Sequence, residues 1–234
     1  METSLYNLIL ISVICYLVGS FPAAYLLVKK FTGQDIRKIG SGNVGAINTL
    51  RALKKAGLGK LAMIGFLIVL IIDIAKGALA IFLAQKILLA PYLSIGGGLI
   101  LAAFFVVLGH NYSIFLKFSG GRGAACLIGI LLYLDILALL VWGLPILFLT
   151  AFFQLILERI GFEKKINWKS FSQIFSLLGT QMAGRIAGLI LALIPLYFYN
   201  PQIFLPIAAG TILLLIKNIP RFKEYFLGEK IYGD

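Results

Sequence analysis

Two short polar stretches hold the residues that could do chemistry. In the first, Gly40-Ser41-Gly42-Asn43-Val44-Gly45 is followed by Asn48 and Arg51. Glycines permit left-handed backbone and close approach of a ligand, so successive N–H groups could form an anion-binding nest. Ser41 offers a hydroxyl, Asn43 and Asn48 offer amides, and Arg51 offers a planar fork suited to phosphate. A helix starting near Gly45 puts Asn48 and Arg51 three residues apart on one face, and Asn43 and Asn48 are expected chiefly to fix the loop. The Gly-Lys-Ser/Thr ending of a nucleotide-binding P-loop does not follow. The alternative is a flexible basic loop touching anionic headgroups. In the second stretch, Gly120-Gly121-Arg122-Gly123 opens directly into an apolar run. Backbone N–H groups at a helix start, beside a cation, also make an anion site; the alternative is a glycine hinge with one arginine at the headgroups.

Three further ionisable residues stand out. Asp73 and Lys76 lie inside an apolar run, where each charge costs about 2.5–3.5 kcal/mol on insertion scales. Spaced i,i+3, they share a helix face and can neutralise each other, either as a structural pair or as a polar interior facing a site. His110 is the chain's single histidine, with a structural or a catalytic reading open to it. Cys15 and Cys126 lack metal-ligand or redox spacing, so neither a disulfide framework nor a metal site is expected, and no cofactor.

The elements that must position these residues are apolar. The 234 residues are 61% hydrophobic, far above the roughly 45–50% of soluble domains, and the mean hydropathy is +1.01. The chain therefore reads as a single polytopic all-α membrane domain over residues 1–234. Seven spans are expected: 5–28, with Gly19 and Pro22 as kink points; 61–84; 92–109; 124–133, closed by a turn at Asp135; 136–157; 183–199; and 203–216. The formal charge of +12 lies between these runs rather than in a nucleic-acid-binding face. Nearly all Lys and Arg fall in 29–60, 110–123, 158–182 and the tail from 217. By the positive-inside rule the amino terminus is outside and the carboxyl terminus cytoplasmic, with both glycine-rich loops on the cytoplasmic face. Segment 158–182 is expected to be a long polar connector, and no soluble domain is expected.

Asp35-Ile36-Arg37, then Gly40-Ser41-Gly42-Asn43-x-Gly45-Ala46-x-Asn48-x-x-Arg51, resembles the first motif of the bacterial acyl-phosphate:glycerol-3-phosphate acyltransferases. Asp73-Ile74-Ala75-Lys76-Gly77 resembles that family's D-x-x-K-G. Residues 109–123 resemble its G-H-x-x-P-x-F-x-x-F-x-G-G-K-G, with Ser113 in place of proline and Arg122 in place of lysine. Ile47 stands where threonine is usual. The likeness spans about residues 5–130 and weakens beyond. Ser170, Ser172 and Ser176 lack the family's serine spacing, and a register anchored on Pro195 puts Gly184 and Ala187 at the serine positions. Asn218-Ile219-Pro220-Arg221-Phe222 resembles N-I-x-R-L, but Leu215 occupies the histidine position and Gly228-Glu229 arrives about one turn late.

The resemblance implies a small seven-span enzyme. It would transfer an acyl group from fatty acyl phosphate to the 1-hydroxyl of sn-glycerol 3-phosphate, giving lysophosphatidic acid and phosphate, the first step of phospholipid synthesis. It implies that Ser41 and its glycine turn (Gly42, Asn43, Gly45, Asn48), Arg51, and Gly120, Gly121, Arg122 and Gly123 hold phosphate. Asp73, Lys76, Asn218 and Arg221 would support the site. No side chain need be a dedicated base, because the substrate phosphate can assist proton transfer; His110 is the candidate if one is. The HxxxxD signature of other glycerolipid acyltransferases is missing, since Phe115 stands at the aspartate position. The partners expected are the two substrates and the lipid bilayer, with a monomeric chain and no nucleic acid. Two rivals remain: a relative with another acceptor or no activity, and a small transporter of a phosphorylated solute.

Overall fold

The computed structural model describes residues 5–88, 96–169 and 171–227. It is all-α, and among the described residues the β structure is an isolated bridge between Ser113 and Ser119. The helices are α1 (Leu5–Ser20), α2 (Ala23–Thr32), α3 (Ala46–Lys55), α4 (Gly59–Leu88), α5 (Gly96–Asn111), α6 (Ala124–Leu134), α7 (Ile136–Arg159), α8 (Phe171–Thr180), α9 (Ala183–Leu191), α10 (Leu193–Tyr199) and α11 (Pro201–Leu227). Among the described residues, four stretches are long and apolar enough to cross a bilayer: Leu5–Thr32, Gly59–Leu88, Ile136–Arg159 and Pro201–Leu227. Gly96–Asn111, Ala124–Leu134 and Ala183–Tyr199 are apolar but shorter. The 11 residues of α6 reach about 16 Å at 1.5 Å per residue, against roughly 30 Å of hydrocarbon. Large apolar side chains stay exposed along these helices, including Ile9, Val13, Ile71, Leu144 and Phe148. Such a surface suits lipid and would be an aggregation liability in water.

The chain packs as two compact units. In the first, α4 is central and contacts α1, α3, α5 and α6, and α1 also pairs with α5. Small residues set these helix pairs. A Cβ on Gly77 would sit 2.0 Å from the Cys126 carbonyl oxygen of α6, and one on Gly129 of α6 would sit 1.8 Å from the Ile74 carbonyl oxygen of α4. The two backbones are therefore in contact, as small-residue interfaces in membranes allow. Gly77 of the D-x-x-K-G segment thus acts as a packing residue. In the second unit, α7 packs on α8, α9 and α10, and Gly184 and Gly188 lie against the α7 backbone at Leu149–Thr150 and Ile146.

Three differences from the sequence expectation have physical causes. The kink expected at Pro22 in the first span is a full break into two helices, because Pro22 lacks an N–H and the ladder stops between Ser20 and Ala23. The connector 158–182 contains α8; the apolar spacing Phe171, Ile174, Phe175, Leu178 is the i, i+3, i+4, i+7 signal for it. The 183–199 run is divided at Ala192 into α9 and α10. The turn expected at Asp135 is present as a single extended residue between α6 and α7. Ser170, Gly228 and Glu229 lie outside the described residues, as do the side chains of Ser172 and Ser176.

The α4–α6 contact yields a direct test. Gly129→Val should cost at least about 1–3 kcal/mol from overpacking and lower the thermal midpoint in detergent. Gly143→Ala, where an added Cβ meets nothing within 4 Å, should be neutral or stabilise by about 0.5–1 kcal/mol. Equal midpoints for the two variants would contradict the packing assignment.

Candidate active site

The first loop is polar in composition but pegged by apolar side chains. Ile36, Ile39 and Val44 are buried in one cluster with Val28 of α2, Val69 of α4 and Leu116 of the second loop. That cluster holds loop against helix and gives the polar backbone a fixed course. A short 3-10 turn over Ile36–Lys38 is capped by the Asp35 side chain, which accepts from the Arg37 N–H at 2.9 Å. Gly40 and Gly42 adopt φ of 56° and 66°, the left-handed region that glycine tolerates best.

Asn48 is the hub of this loop. It is buried on α3, donates from Nδ2 to the carbonyls of Ile36 (3.2 Å) and Ile39 (2.9 Å), and accepts at Oδ1 from the Ser41 N–H (3.2 Å). Its amide is thus spent on the loop and is not available to a ligand. The nest expected from residues 40–45 is also largely closed: Ser41 N–H goes to Asn48, Gly42 N–H to Ile39 O at 3.1 Å, and Val44 N–H to Gly120 O at 3.5 Å. The donors that stay open lie one step further on. Helix α3 begins at Ala46 behind Gly45, as the spacing predicts, and no side chain caps it. Its first-turn N–H groups, the Ser41 hydroxyl, Asn43 and Arg51 are therefore candidates for an anion. Among the described residues, no hydrogen bond or ion pair engages the partly buried Arg51 guanidinium.

The second loop is built on the same lines. Gly123 precedes α6 with φ 81°, and no side chain caps that helix either. Gly121 N–H donates to His110 O at 2.9 Å, and its missing side chain makes room for the imidazole: a Cβ there would lie 2.0 Å from Nε2. Arg122 is half-buried beside this turn. The two loops are stitched together by the Val44–Gly120 bond and by Arg37, whose Nη1 donates to Leu116 O at 3.0 Å. Arg37 also donates from Nε and Nη2 to the Asp35 carboxylate, at 2.6–3.1 Å. Asp35-Ile36-Arg37 is therefore a clamp between loops. The hydrogen bond from Arg37 is the main reason the Asp35 carboxyl is held below its ordinary pKa, with partial burial opposing it.

Beneath the loops, Asp73 and Lys76 are both buried and paired at 2.6 Å. The Lys76 ammonium also donates to the Phe21 carbonyl at 2.6 Å, and the Ser113 hydroxyl donates to the Ser20 carbonyl at 2.5 Å. Both carbonyls flank the helix break at Pro22. Ser113, the departure from proline, thus has a definite task. His110 is buried with Nδ1 3.7 Å from Asp73 Oδ1. Phe21, Pro22, Val44, Lys76, His110 and Gly121 border a narrow cleft here.

In the second unit, Arg221 Nη1 donates to Gly179 O at 3.2 Å, and Arg185 Nη2 to Asn218 Oδ1 at 3.4 Å. Asn218 and Arg221 thus share a polar cluster with Arg185, which sequence reasoning missed. Its spacing from Asn218, thirty-three residues along the chain, carries no local signal. Gly184 is packed on α7 and offers no hydroxyl.

Helices of these lengths, with buried charges and stitched glycine loops, define a multi-pass membrane protein with a polar site walled by its own backbone. The model of the glycerol-3-phosphate acyltransferase family matches residues 9–225, and the chain belongs to that family. A glycerol-3-phosphate acyltransferase of Thermus thermophilus is 44% identical over 133 residues, 57% of this chain and 59% of the relative. A second, from Moorella thermoacetica, is 44% identical over 142 residues, 58% of this chain and 65% of the relative. One from Helicobacter pylori is 38% identical over 138 residues, 57% and 60% of the two chains. These alignments span about three-fifths of the relatives' length. The fold is similar to the crystal structure of PlsY (YgiH), an integral membrane glycerol 3-phosphate acyltransferase, in its glycerol 3-phosphate form. The TM-score is 0.63 at 21% identity, covering 97% of this chain and 96% of that one. The lysophosphatidic acid form gives 0.59 at 22% identity, covering 94% and 92%.

Two predictions concern the loop. Asn48→Ala leaves the Ile36 and Ile39 carbonyls unpaired, at about 1–3 kcal/mol, and should raise hydrogen exchange over residues 36–45; unchanged exchange there would refute its role as hub. Asp35 has a folded pKa below its unfolded value near 3.9. Its contribution is therefore fully present above that value and is lost as pH falls through the folded pKa. Thermal midpoints measured from pH 6 down to pH 2.5 should fall less in Asp35→Asn than in wild type.

Proposed function

We propose that the chain transfers an acyl group from fatty acyl phosphate to the 1-hydroxyl of sn-glycerol 3-phosphate. The observation that carries this reading is the stitching of the two glycine loops. The Arg37–Leu116 and Val44–Gly120 bonds join two uncapped helix starts, each beside an arginine, in one unit. In this reading Ser41, Asn43, Arg51 and the α3 start hold one phosphate, and Gly121, Arg122, Gly123 and the α6 start hold the other. Gly42, Gly45 and Gly120 shape the turns, and Asp73, Lys76 and His110 brace them from below. Asn218 and Arg221, which cluster with Arg185 in the second unit, have a supporting role. Family membership over residues 9–225, which runs through both compact units, supports treating 1–234 as a single domain.

Acyl phosphate is a mixed anhydride and already activated. The acceptor hydroxyl attacks the acyl carbonyl, the bond from carbonyl carbon to phosphate oxygen breaks, and the departing phosphate takes the hydroxyl proton. Positioning and electrostatic stabilisation of the departing dianion are then the protein's main tasks. We further propose seven crossings, the three short apolar helices completing the four long ones. The amino terminus is outside and the site faces the cytoplasm of the inner membrane, in a monomer. The concentration of Lys and Arg in the loops that would share one side supports this topology.

The test is turnover of palmitoyl phosphate and glycerol 3-phosphate by protein purified in detergent or lipid cubic phase. Lysophosphatidic acid with stoichiometric phosphate is expected. Phosphate release without lysophosphatidic acid would defeat the acceptor assignment. Arg51→Ala should lower kcat/KM by about 100-fold or more with an unchanged thermal midpoint, and near-normal turnover would defeat the phosphate site.

A further inference from the structure

Five lysines have no task in the acyltransferase reading: Lys29 and Lys30 at the end of α2, Lys54 and Lys55 at the end of α3, and Lys60 at the start of α4. All five are exposed. Packing brings them to one end of the first unit. The Lys76 ammonium of α4 holds the Phe21 carbonyl just before α2. A Cβ on Gly65 of α4 would lie 3.1 Å from Leu27 Cδ2 of α2 and 2.7 Å from Leu53 Cδ1 of α3. Helix α2 therefore runs antiparallel to α4, and its last turn, beyond Leu27, lies toward Lys60. Leu53 fixes the end of α3 at the same level. The chain then turns directly into α4. Gly57 takes φ 78°, its N–H donates to Lys54 O at 3.0 Å, and Leu58 N–H donates to Leu53 O at 3.0 Å. This closed helix end sets Lys54, Lys55 and Lys60 around one ordered turn.

Three segments thus bring like charges together without acidic partners. Among the described residues, no carboxylate is within ion-pair distance of any of the five. Asp35, the one acidic residue between positions 29 and 72, is taken by Arg37. Lys29 Nζ donates to Gly33 O at 2.8 Å, and Lys30 lies 5.7 Å from the Phe31 ring centroid, which leaves both charges uncancelled. Large apolar side chains adjoin the lysines: Phe31, Met63 and Ile64 are 44%, 51% and 52% exposed. A patch that is cationic at the helix ends and apolar along their flanks matches an amphiphile with an anionic head. Lysine clusters at the ends of membrane helices attract anionic lipid headgroups in this way.

We propose that the ends of α2 and α3 and the start of α4 form a docking surface for anionic phospholipids. The lysines take the phosphodiester headgroups, and Phe31, Met63 and Ile64 lie beside the acyl chains. The surface is outside the residues assigned to substrate phosphate. It requires a chain set in a bilayer and does not depend on the acyltransferase reading.

The experiment titrates the full chain, purified in detergent, with phosphatidylglycerol or phosphatidylcholine and counts bound lipid by native mass spectrometry. Wild type is compared with Arg51→Ala and with two triple variants of Lys54, Lys55 and Lys60, one with all three changed Lys→Gln and one Lys→Arg. Wild type should hold phosphatidylglycerol at least about tenfold more tightly than phosphatidylcholine, and the preference should shrink as ionic strength rises. The glutamine variant should lose about tenfold or more of the phosphatidylglycerol affinity, with phosphatidylcholine binding and the thermal midpoint unchanged. The arginine variant should retain the preference. Wild-type affinities for the two lipids within about twofold of each other would overturn the proposal. So would a glutamine variant that keeps its preference, or one that loses both lipids with a lowered midpoint, which marks a packing role. Loss of phosphatidylglycerol in Arg51→Ala but not in the glutamine variant would put the lipid in the substrate site and equally overturn it. If these lysines hold phosphatidylglycerol in a chain that makes no lysophosphatidic acid, the acyltransferase reading falls and this inference stands.

Discussion

A carbonyl freed inside an apolar protein must find a donor within the protein, because hydrocarbon supplies none. Pro22 creates that situation by ending α1 and leaving the Ser20 and Phe21 carbonyls at a helix break. Their side-chain donors come from two other elements, the Ser113 hydroxyl and the Lys76 ammonium. Lys76 brings its own requirement, met by Asp73 one turn away. Asp73 lies beside His110, and His110 fills the space that Gly121 leaves. One broken helix thus constrains a buried ion pair, a buried imidazole and the glycine turn above them.

The loops gain their order in the same way, from internal satisfaction. Isoleucine and valine pegs bury the underside of the first loop, and the Asn48 amide takes up two of its carbonyls and one of its N–H groups. Arg37 then ties this loop to the second through Leu116. The result is a backbone surface whose course is set by contacts within the protein. Preorganised donors of this kind spare the reorganisation that a flexible basic loop would incur on binding.

Much of the site was legible in the sequence, though several roles were not. Glycine clustering marked the two turns, and the helix start at Gly45 followed from the spacing. The same composition suggested an open nest over 40–45, because glycines advertise permissive backbone but not which N–H groups are already bonded. Asn48 was expected to fix the loop, and its burial and three hydrogen bonds give it that role. Asp35-Ile36-Arg37 was recognisable as motif, but its partner Leu116 is seventy-nine residues from Arg37. Gly77 could be read as part of a signature, whereas its use against Cys126 depends on where α6 lies.

Composition and local pattern alone determined the membrane class, the all-α architecture, the helical runs and the positions of the polar turns, because hydropathy and glycine chemistry act over a few neighbouring residues. Tertiary structure alone decided which donors are spent and which remain open. It turned Ser113 from an irregularity into the partner of Ser20, brought Arg185 to Asn218, and set Lys217 over Tyr112. These pairings join residues far apart in the chain. Their energies depend on burial and approach distance, which no local pattern encodes.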